Sequence, residues 1–248
     1  MSHDYTEREL MIACGARELN DGEVGLIGVG LPLLAAKLAK QTHAPTLERY
    51  VEIGLGDPQP VEDVLGIGDV RIFHHPVISN SESGVMLGIL QRGDIDVGFL
   101  GGIQVDQYGN LNTTLLGDEE NPERVYGGSG GANDIASCAG RFHTILPLEE
   151  RRFPERVDYL TSPGYLGGGD ERAEAGLPGG GPDKVITDRA VFDFEPDTKR
   201  MRLHSVHPGE TVEGVRNRVG FDLVVPDDPP ETPPPTDEEL SILRDLKD

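Results

Sequence analysis

A strand-helix-strand pattern in the first quarter of the chain constrains the fold more than any other sequence feature. Residues 24–29 form a short apolar run that predicts a strand, and residues 30–32 (GLP) predict a helix start with proline in its first turn. A second strand follows in residues 49–56 (RYVEIGLG), where two glycines end it. Strands joined through a helix lie parallel with a right-handed crossover, so we expect an α/β fold with an open, mostly parallel sheet.

Glu52 is the charged residue in the second of these strands. In open α/β sheets, ligands bind just outside the carboxyl ends of the strands, which is where Glu52 is expected to lie. The ordinary alternative is a solvated glutamate at a strand end, because most carboxylates are simply exposed. Glu52 is therefore a candidate reacting group whose role depends on what accompanies it.

The acidic composition excludes two classes of partner. The chain has 248 residues with 44 acidic and 22 basic side chains, which gives a formal net charge of −22. Such a surface repels nucleic acids and anionic membranes, so we expect neither as a partner. An acidic, lysine-poor surface also suits a salt-rich cytoplasm, where screening removes the self-repulsion, and we hypothesise a halophilic source.

Nothing in the sequence predicts a membrane span, a secretory signal or a metal site. No apolar run is long enough for a bilayer, and the N-terminus lacks a charged-then-apolar pattern, so a cytoplasmic location is expected. Cys14 and Cys138 lie far apart without paired spacing, which indicates neither a disulfide framework nor a zinc site.

The remaining chain continues the α/β pattern and ends in a tail. A capping box at residues 6–9 begins a helix that runs to about residue 19. Further helices are predicted at residues 84–91 and 211–219, and strands at residues 70–73, 94–100, 143–148, 157–161 and 221–225. A small antiparallel section is predicted from residues 184–187, 191–194 and 201–206.

The composition changes abruptly at residue 226. We expect one domain over residues 1–225, because no second core or internal repeat is present. Residues 226–248 are expected to form an acidic, proline-rich extended linker with a short terminal helix over residues 238–247, because consecutive prolines exclude both ladder and helix.

Several rival sites are weaker than the Glu52 segment. Gly28 and Gly30 form part of a dinucleotide-binding fingerprint, but Leu33 replaces its third glycine. His74 and His75 point to opposite faces if they lie on a strand, so surface histidines are the favoured interpretation.

Two further side chains could be mistaken for reacting groups. Cys138 has no histidine placed beside it by the sequence, so a small buried thiol is favoured over a nucleophile. Glu82 resembles an acid in the first turn of a helix, where the dipole stabilises it.

The loop of residues 127–133 (GGSGGAN) is the third candidate feature. Successive glycines let backbone N–H groups converge on an anion or a developing oxyanion, although a flexible turn would have the same composition. The loop lacks the GK[ST] ending of a nucleotide-binding P-loop.

Several blocks together resemble the beta subunit of class I coenzyme A transferases, and most of all that of glutaconate CoA-transferase. The resemblance covers roughly residues 5–225 and leaves out the tail. The matching segments are 30–33 (GLPL), 51–55 (VEIGL), 60–62 (PVE), 101–110 (GGIQVDQYGN), 128–133 (GSGGAN), 151–153 (RRF), 161–164 (TSPG), 185–188 (VITD) and 220–223 (GFDL).

The resemblance implies that Glu52 is the catalytic glutamate and that an alpha subunit shares the active site. It implies an open sheet of the CoA-transferase type, acyl-CoA and carboxylate substrates, and no permanently bound cofactor. Coenzyme A would be both substrate and covalent intermediate, as a glutamyl-CoA thioester in a ping-pong reaction. Ile53 stands where a subunit of this type carries serine or asparagine, which puts that polar contact in doubt.

The chemistry of such a transfer is consistent with the residues. A glutamate of ordinary pKa is ionised at pH 7 and needs no partner base to attack a thioester. Each tetrahedral intermediate needs N–H donors. The candidates for this oxyanion and CoA lining are Gly54, Gly101, Gly102, Gly128, Ser129, Gly130 and Gly131.

Two alternatives remain open from the sequence. An acyl-CoA hydrolase of the same fold would lack the strand glutamate, so Glu52 favours transfer. A non-enzymatic ligand sensor would be expected to carry a basic DNA-binding region, which this chain lacks. Coenzyme A is polyanionic, yet the chain shows no basic cluster, which favours an active site completed by the partner. The sequence does not identify the acyl donor or acceptor.

Overall fold

Strands and helices alternate along the chain in the computed structural model, which describes residues 4–58 and 69–246. The described strands are β1 (Val24–Ile27), β2 (Glu48–Val51), β3 (Leu55–Gly56), β4 (Ile78–Ser79), β5 (Val97–Leu100), β6 (Gln104–Val105), β7 (Leu111–Asn112), β8 (Leu115–Gly117), β9 (Pro122–Val125), β10 (Arg141–Ile145), β11 (Pro182–Ile186), β12 (Ala190–Phe194) and β13 (Met201–Val206). The described α-helices are α1 (Glu7–Arg17), α2 (Leu31–Gln41), α3 (Glu82–Val85), α4 (Ala132–Cys138), α5 (Glu171–Glu174), α6 (Val212–Arg216) and α7 (Asp237–Asp245). A π-helical turn, Met86–Leu90, continues α3.

Nine of the described strands form one sheet in the order β13-β12-β11-β10-β5-β1-β2-β3-β4. Its five central strands, from β11 to β2, pair in parallel. Antiparallel pairs flank them on both sides, with β12 and β13 at one edge and β3 and β4 at the other. The predicted α/β class, the mostly parallel sheet and the small antiparallel C-terminal section are confirmed, whereas the β3–β4 edge was not predicted.

The sheet is covered on both faces because its central strands are apolar on both sides. On β5, Val97 and Phe99 pack into the cluster that contains α1 and α2, while Leu100 joins the cluster on the opposite face. The predicted capping box of α1 is confirmed, since Thr6 and Glu9 satisfy each other's backbone N–H groups. Helices on both faces leave the carboxyl ends of the parallel strands as the open edge.

Three predicted strands are wrong, and local side-chain contacts explain why. Residues 70–73 form a 3₁₀ turn, because the Asp69 side chain accepts from the Arg71 amide and begins that turn. Residues 157–161 are irregular, and Asp158 donates its amide to the Gln104 side chain instead of to a ladder. Of residues 221–225, only Val224 forms an isolated bridge, with Arg202.

The tail lies against the body of the chain. Arg17 donates hydrogen bonds to the carbonyls of Pro233 and Pro234 and a bidentate pair to Glu239 at the start of α7. Leu243 of α7 is buried in the cluster formed with α1 and α2. The predicted terminal helix is confirmed over Asp237–Asp245; residue 247 and the motif at 60–62 lie outside the described residues.

No helix among residues 4–58 and 69–246 combines the length and apolar content needed to cross a bilayer.

Candidate active site

Glu52 is the first residue beyond β2 and begins the tight turn that returns the chain as β3. The turn is closed by a hydrogen bond from the Gly54 amide to the Val51 carbonyl at 3.0 Å. Gly54 has a φ of 106° and lies against the backbone of Asn80, so a side chain is excluded there. This turn places the half-buried Glu52 side chain at the carboxyl edge of the sheet, as the sequence predicts.

The glycine loop before α4 holds the Glu52 carboxylate. The Gly131 amide donates to Glu52 Oε2 at 3.1 Å. A Cβ at Gly131 would lie 2.5 Å from that oxygen and 3.1 Å from the Met86 methyl, and a Cβ at Gly130 would lie 3.5 Å from Glu52 Oε1. The loop therefore approaches the carboxylate more closely than any residue with a side chain could.

The surroundings raise the pKa of Glu52 above its ordinary value. Burial is the largest cause, the negative charge of Glu82 adds to it, and the hydrogen bond from Gly131 opposes it. The sequence analysis assumed an ordinary pKa for Glu52, whereas its surroundings in the fold raise that pKa. A raised pKa makes the ionised carboxylate more basic and a stronger nucleophile than an exposed glutamate.

The model of the family described as Coenzyme A transferase matches residues 8–218 of this chain. The chain belongs to the coenzyme A transferase family. It is 39% identical over 229 residues to the beta subunit of the glutaconate CoA-transferase of Acidaminococcus fermentans, covering 90% of this chain and 85% of that relative. It is 38% identical to the beta subunit of the 3-oxoadipate CoA-transferase of Pseudomonas knackmussii, covering 98% and 94%.

A solved structure agrees with this assignment. The crystal structure of glutaconate coenzyme A-transferase from Acidaminococcus fermentans superimposes with a TM-score of 0.91, covering 99% of this chain and 95% of that chain at 36% identity. The resemblance and fold expected from the sequence blocks are thereby confirmed.

The other glycine candidates of this CoA-transferase chain lie in different settings. The Gly54 amide is already used in the β2–β3 turn. Gly101 and Gly102 follow β5, which β1 separates from β2 in the sheet. Ser129 donates its hydroxyl to the Gly130 carbonyl at 3.0 Å, and a Cβ at Gly128 would meet open space. Among the seven candidates, Gly130 and Gly131 are those that the structure brings beside Glu52.

Sequence reasoning missed two groups that pack against the glycines near Glu52. The Met86 methyl packs beside Gly131, and the Asn80 backbone packs against Gly54. Their sequence neighbourhood carries no catalytic signal, because their role depends on tertiary packing. Glu82 does lie in the first turn of α3, as predicted, and Ser81 caps that helix.

The rival sites acquire ordinary explanations. Gly30 has a φ of 79° and precedes α2, whose first turn contains Pro32. Burial raises the pKa of the Cys138 thiol, and the nearby Asp134 adds to the shift, which disfavours a thiolate. His74 and His75 are exposed and contact each other edge to face, with ring centroids 4.2 Å apart.

Proposed function

We propose that this chain is the catalytic beta subunit of a CoA-transferase that moves coenzyme A from an acyl-CoA to a carboxylic acid. The observation that carries the proposal is the Glu52 carboxylate, half-buried at the carboxyl edge of the sheet and held by the Gly131 amide. Membership of the coenzyme A transferase family supports it.

The reaction proceeds through a covalent intermediate on Glu52. The carboxylate attacks the thioester carbonyl and releases CoA thiolate, which leaves a mixed anhydride between Glu52 and the acyl group. The thiolate then attacks the Glu52 carbonyl, releases the first carboxylate product and forms a glutamyl-CoA thioester. An incoming carboxylate repeats these steps in reverse order, so the kinetics are ping-pong.

The glycine loop would serve the charged intermediates of this sequence. Each attack places negative charge on a carbonyl oxygen, and fixed backbone N–H groups stabilise it without reorganisation. Gly130 and Gly131 are placed best for this, since both lie beside the Glu52 carboxyl group. Gly101, Gly102, Gly128 and Ser129 remain candidates for contacts with the CoA moiety.

A partner chain completes the site. Four large apolar side chains are exposed in the segment that follows the β2–β3 turn and in the π-helical turn, namely Val70 (80%), Phe73 (56%), Val77 (76%) and Leu87 (57%). Three of them, Val70, Phe73 and Val77, lie within one stretch of eight residues, and clustered exposed apolar groups mark interaction surfaces. Both transferase relatives are beta subunits of multi-subunit enzymes, which supports an alpha subunit as the occupant.

The substrates named for the same two relatives support a substrate class for this chain. Glutaconate and 3-oxoadipate are both dicarboxylates, so dicarboxylic acids and their CoA thioesters are the first compounds to test. Coenzyme A acts as substrate and transient covalent group rather than as a resident cofactor.

Residues 1–225 form the transferase domain and residues 226–248 its tail. The net charge of −22 supports a cytoplasmic enzyme adapted to high salt.

Intact-mass spectrometry tests the proposal. The chain, copurified with its alpha subunit, is incubated with a panel of acyl-CoAs and then reduced with borohydride. A CoA adduct that reduction converts to an alcohol at Glu52, absent in Glu52→Gln and retained in Glu82→Gln, is the expected result. Acyl-CoA consumption without an adduct would instead indicate a hydrolase, and no consumption with the partner present would indicate a ligand sensor.

A further inference from the structure

A second polar cluster lies on the face of the sheet that α1 covers, next to β10 and β11. It contains Glu18 at the end of α1, His143 on β10 and Asp183 on β11. One ligand atom from each of these residues lies within 4.8 Å of those of the other two. The transferase mechanism uses none of the three.

His143 is the least ordinary member of the cluster. Its side chain is 0% exposed, and neither ring nitrogen has a hydrogen-bond partner among the described residues. Buried imidazoles ordinarily bond at one nitrogen at least, and an unpaired buried polar group is costly. The Nδ1 atom faces Asp183 Oδ2 at 3.8 Å, which is too long for a hydrogen bond.

A register shift aims Asp183 at this imidazole. The β10–β11 ladder pairs Phe142 with Pro182 and then His143 with Lys184, so Asp183 is the extra residue of a bulge. Bulges characteristically re-aim a side chain. The Lys184 ammonium lies 3.5 Å from Asp183 Oδ1, which leaves Oδ2 toward His143.

Among the described residues the third group has no direct side-chain partner, although the positive charges of Lys184 and Arg141 act on it. The Glu18 carboxylate is half-buried, and no hydrogen bond or ion pair to it is found in the part of the chain that the structure describes. The nearest guanidinium, Arg141, is engaged elsewhere: it pairs with Glu23 at 2.8 Å and donates to the Glu18 backbone carbonyl at 2.9 Å. Arg141 Nε lies 3.8 Å from Asp183 Oδ2.

We propose that Glu18, His143 and Asp183 bind a divalent transition-metal ion, with Zn²⁺ the best match. One imidazole nitrogen with two carboxylate oxygens is a zinc-type donor set, whereas Mg²⁺ and Ca²⁺ prefer oxygen alone. The ion would connect α1, β10 and β11 and act structurally, because β5 and β1 separate β10 from β2 and its Glu52 in the sheet.

The sequence does not predict this site, since the cysteines and the His74-His75 pair are its only evident candidates for metal ligands. Residues 18, 143 and 183 are far apart in the sequence and form no metal-binding motif. Only the fold brings them together.

Metal uptake by the chelator-treated, full-length protein tests the proposal. Zn²⁺ is supplied by equilibrium dialysis and counted by elemental analysis, and Co²⁺ absorption reports the nitrogen ligand. We expect one ion per chain, a higher thermal midpoint with metal, and affinity lowered at least about tenfold in both His143→Gln and Asp183→Asn. The matched control is His75→Asn, which changes an exposed histidine in the segment between β3 and β4 and should bind as the unmodified protein does.

Absence of uptake, or equal affinity in the two variants and the control, would overturn the proposal and leave these groups to ordered water. If either variant fails to fold, crystals of the unmodified protein are soaked with Zn²⁺ and measured at its absorption edge. An anomalous peak between the three side chains supports the site, and a peak elsewhere or none refutes it.

Discussion

The Gly131 amide donates a hydrogen bond of 3.1 Å to Glu52 Oε2, although 79 residues separate the two in the sequence. Gly131 is also the residue that precedes the first turn of α4. The contact therefore couples the carboxylate at the end of β2 to a glycine loop on another element. It fixes the carboxylate while leaving Oε1 free of backbone donors among the described residues.

Substitution of Gly131 by alanine tests this contact. Gly131 has a φ of −78°, which alanine adopts without strain, so folding should be preserved. The new Cβ would lie 2.5 Å from Glu52 Oε2 and displace the carboxylate. We expect turnover to fall about 100-fold, the cost of misplacing a reacting group by about 1 Å.

Gly128→Ala is the matched control for this change. It lies in the same loop, its φ is not in the positive region, and its Cβ would meet open space. Turnover at saturating acyl-CoA is expected to stay near that of the unmodified enzyme, so that loss of a Gly128 contact with CoA would change KM alone. If Gly128→Ala and Gly131→Ala lost activity equally, general loop flexibility rather than the Glu52 contact would be responsible.

The pH dependence of thioester formation should report the Glu52–Glu82 relationship. Burial first, and then the charge of Glu82, raise the pKa of Glu52, so the nucleophile is lost by protonation at a higher pH than for an exposed glutamate. Glu82→Gln removes the repulsion and should shift the acid limb of the rate profile toward lower pH.

The measurement is the single-turnover rate of CoA adduct formation as a function of pH. Glu119→Gln, a change of an exposed glutamate in the β8–β9 turn, is the control and should leave the acid limb in place. An acid limb that stays in place or moves toward higher pH in Glu82→Gln would show that Glu82 does not act on Glu52 through its charge.

The antiparallel edge offers a test of stability. Asp193 on β12 accepts from Arg202 Nε at 2.8 Å and lies 3.2 Å from His204 Nδ1. Burial alone would raise the pKa of Asp193, but the bonds from Arg202 and His204 outweigh it and lower the pKa to about 2. A carboxylate whose pKa is lower in the folded than in the unfolded protein stabilises the fold at pH values above its unfolded pKa. This stabilisation is lost as the pH falls toward 2.

Asp193→Asn should therefore destabilise the protein at neutral pH by about 2 kcal/mol, the energy equivalent of the pKa shift. The difference in thermal midpoint between the two proteins should shrink as the pH is lowered from 6 toward 3. Asp197→Asn, at an exposed position in the following turn, should behave as the unmodified protein throughout. A difference independent of pH would point to packing rather than charge.

Elements with strong local signals can be predicted from the sequence, whereas contacts between them cannot. The capping box of α1 and the apolar runs of β1 and β5 are properties of neighbouring residues, and all three predictions are confirmed. Residues 70–73 look like a strand by composition, but Ile72 alone among them is buried. An extended conformation would therefore not be stabilised by burial in a sheet.

The candidate site shows the same division. Glu52 stands out in the sequence because a strand end and a glycine adjoin it, and the glycine loop stands out by its composition. That Gly131 rather than Gly54 contacts the carboxylate depends on tertiary packing, which brings the loop before α4 against the end of β2. The raised pKa of Glu52 escapes prediction for the same reason, since burial is a tertiary property.

Salt dependence is the broadest consequence of the net charge of −22. At 0.1 M salt the screening length is about 10 Å, so like charges spread over the surface repel one another and oppose folding. At 1 M it falls to about 3 Å, and the repulsion is largely removed. We expect the thermal midpoint to rise steeply between dilute buffer and molar KCl. Sucrose at matched osmolality is the control, because it favours burial without screening charge. A midpoint that rises equally in sucrose and KCl would show that the acidic surface is not what limits stability, and an unchanged midpoint in KCl would exclude a protein adapted to high salt.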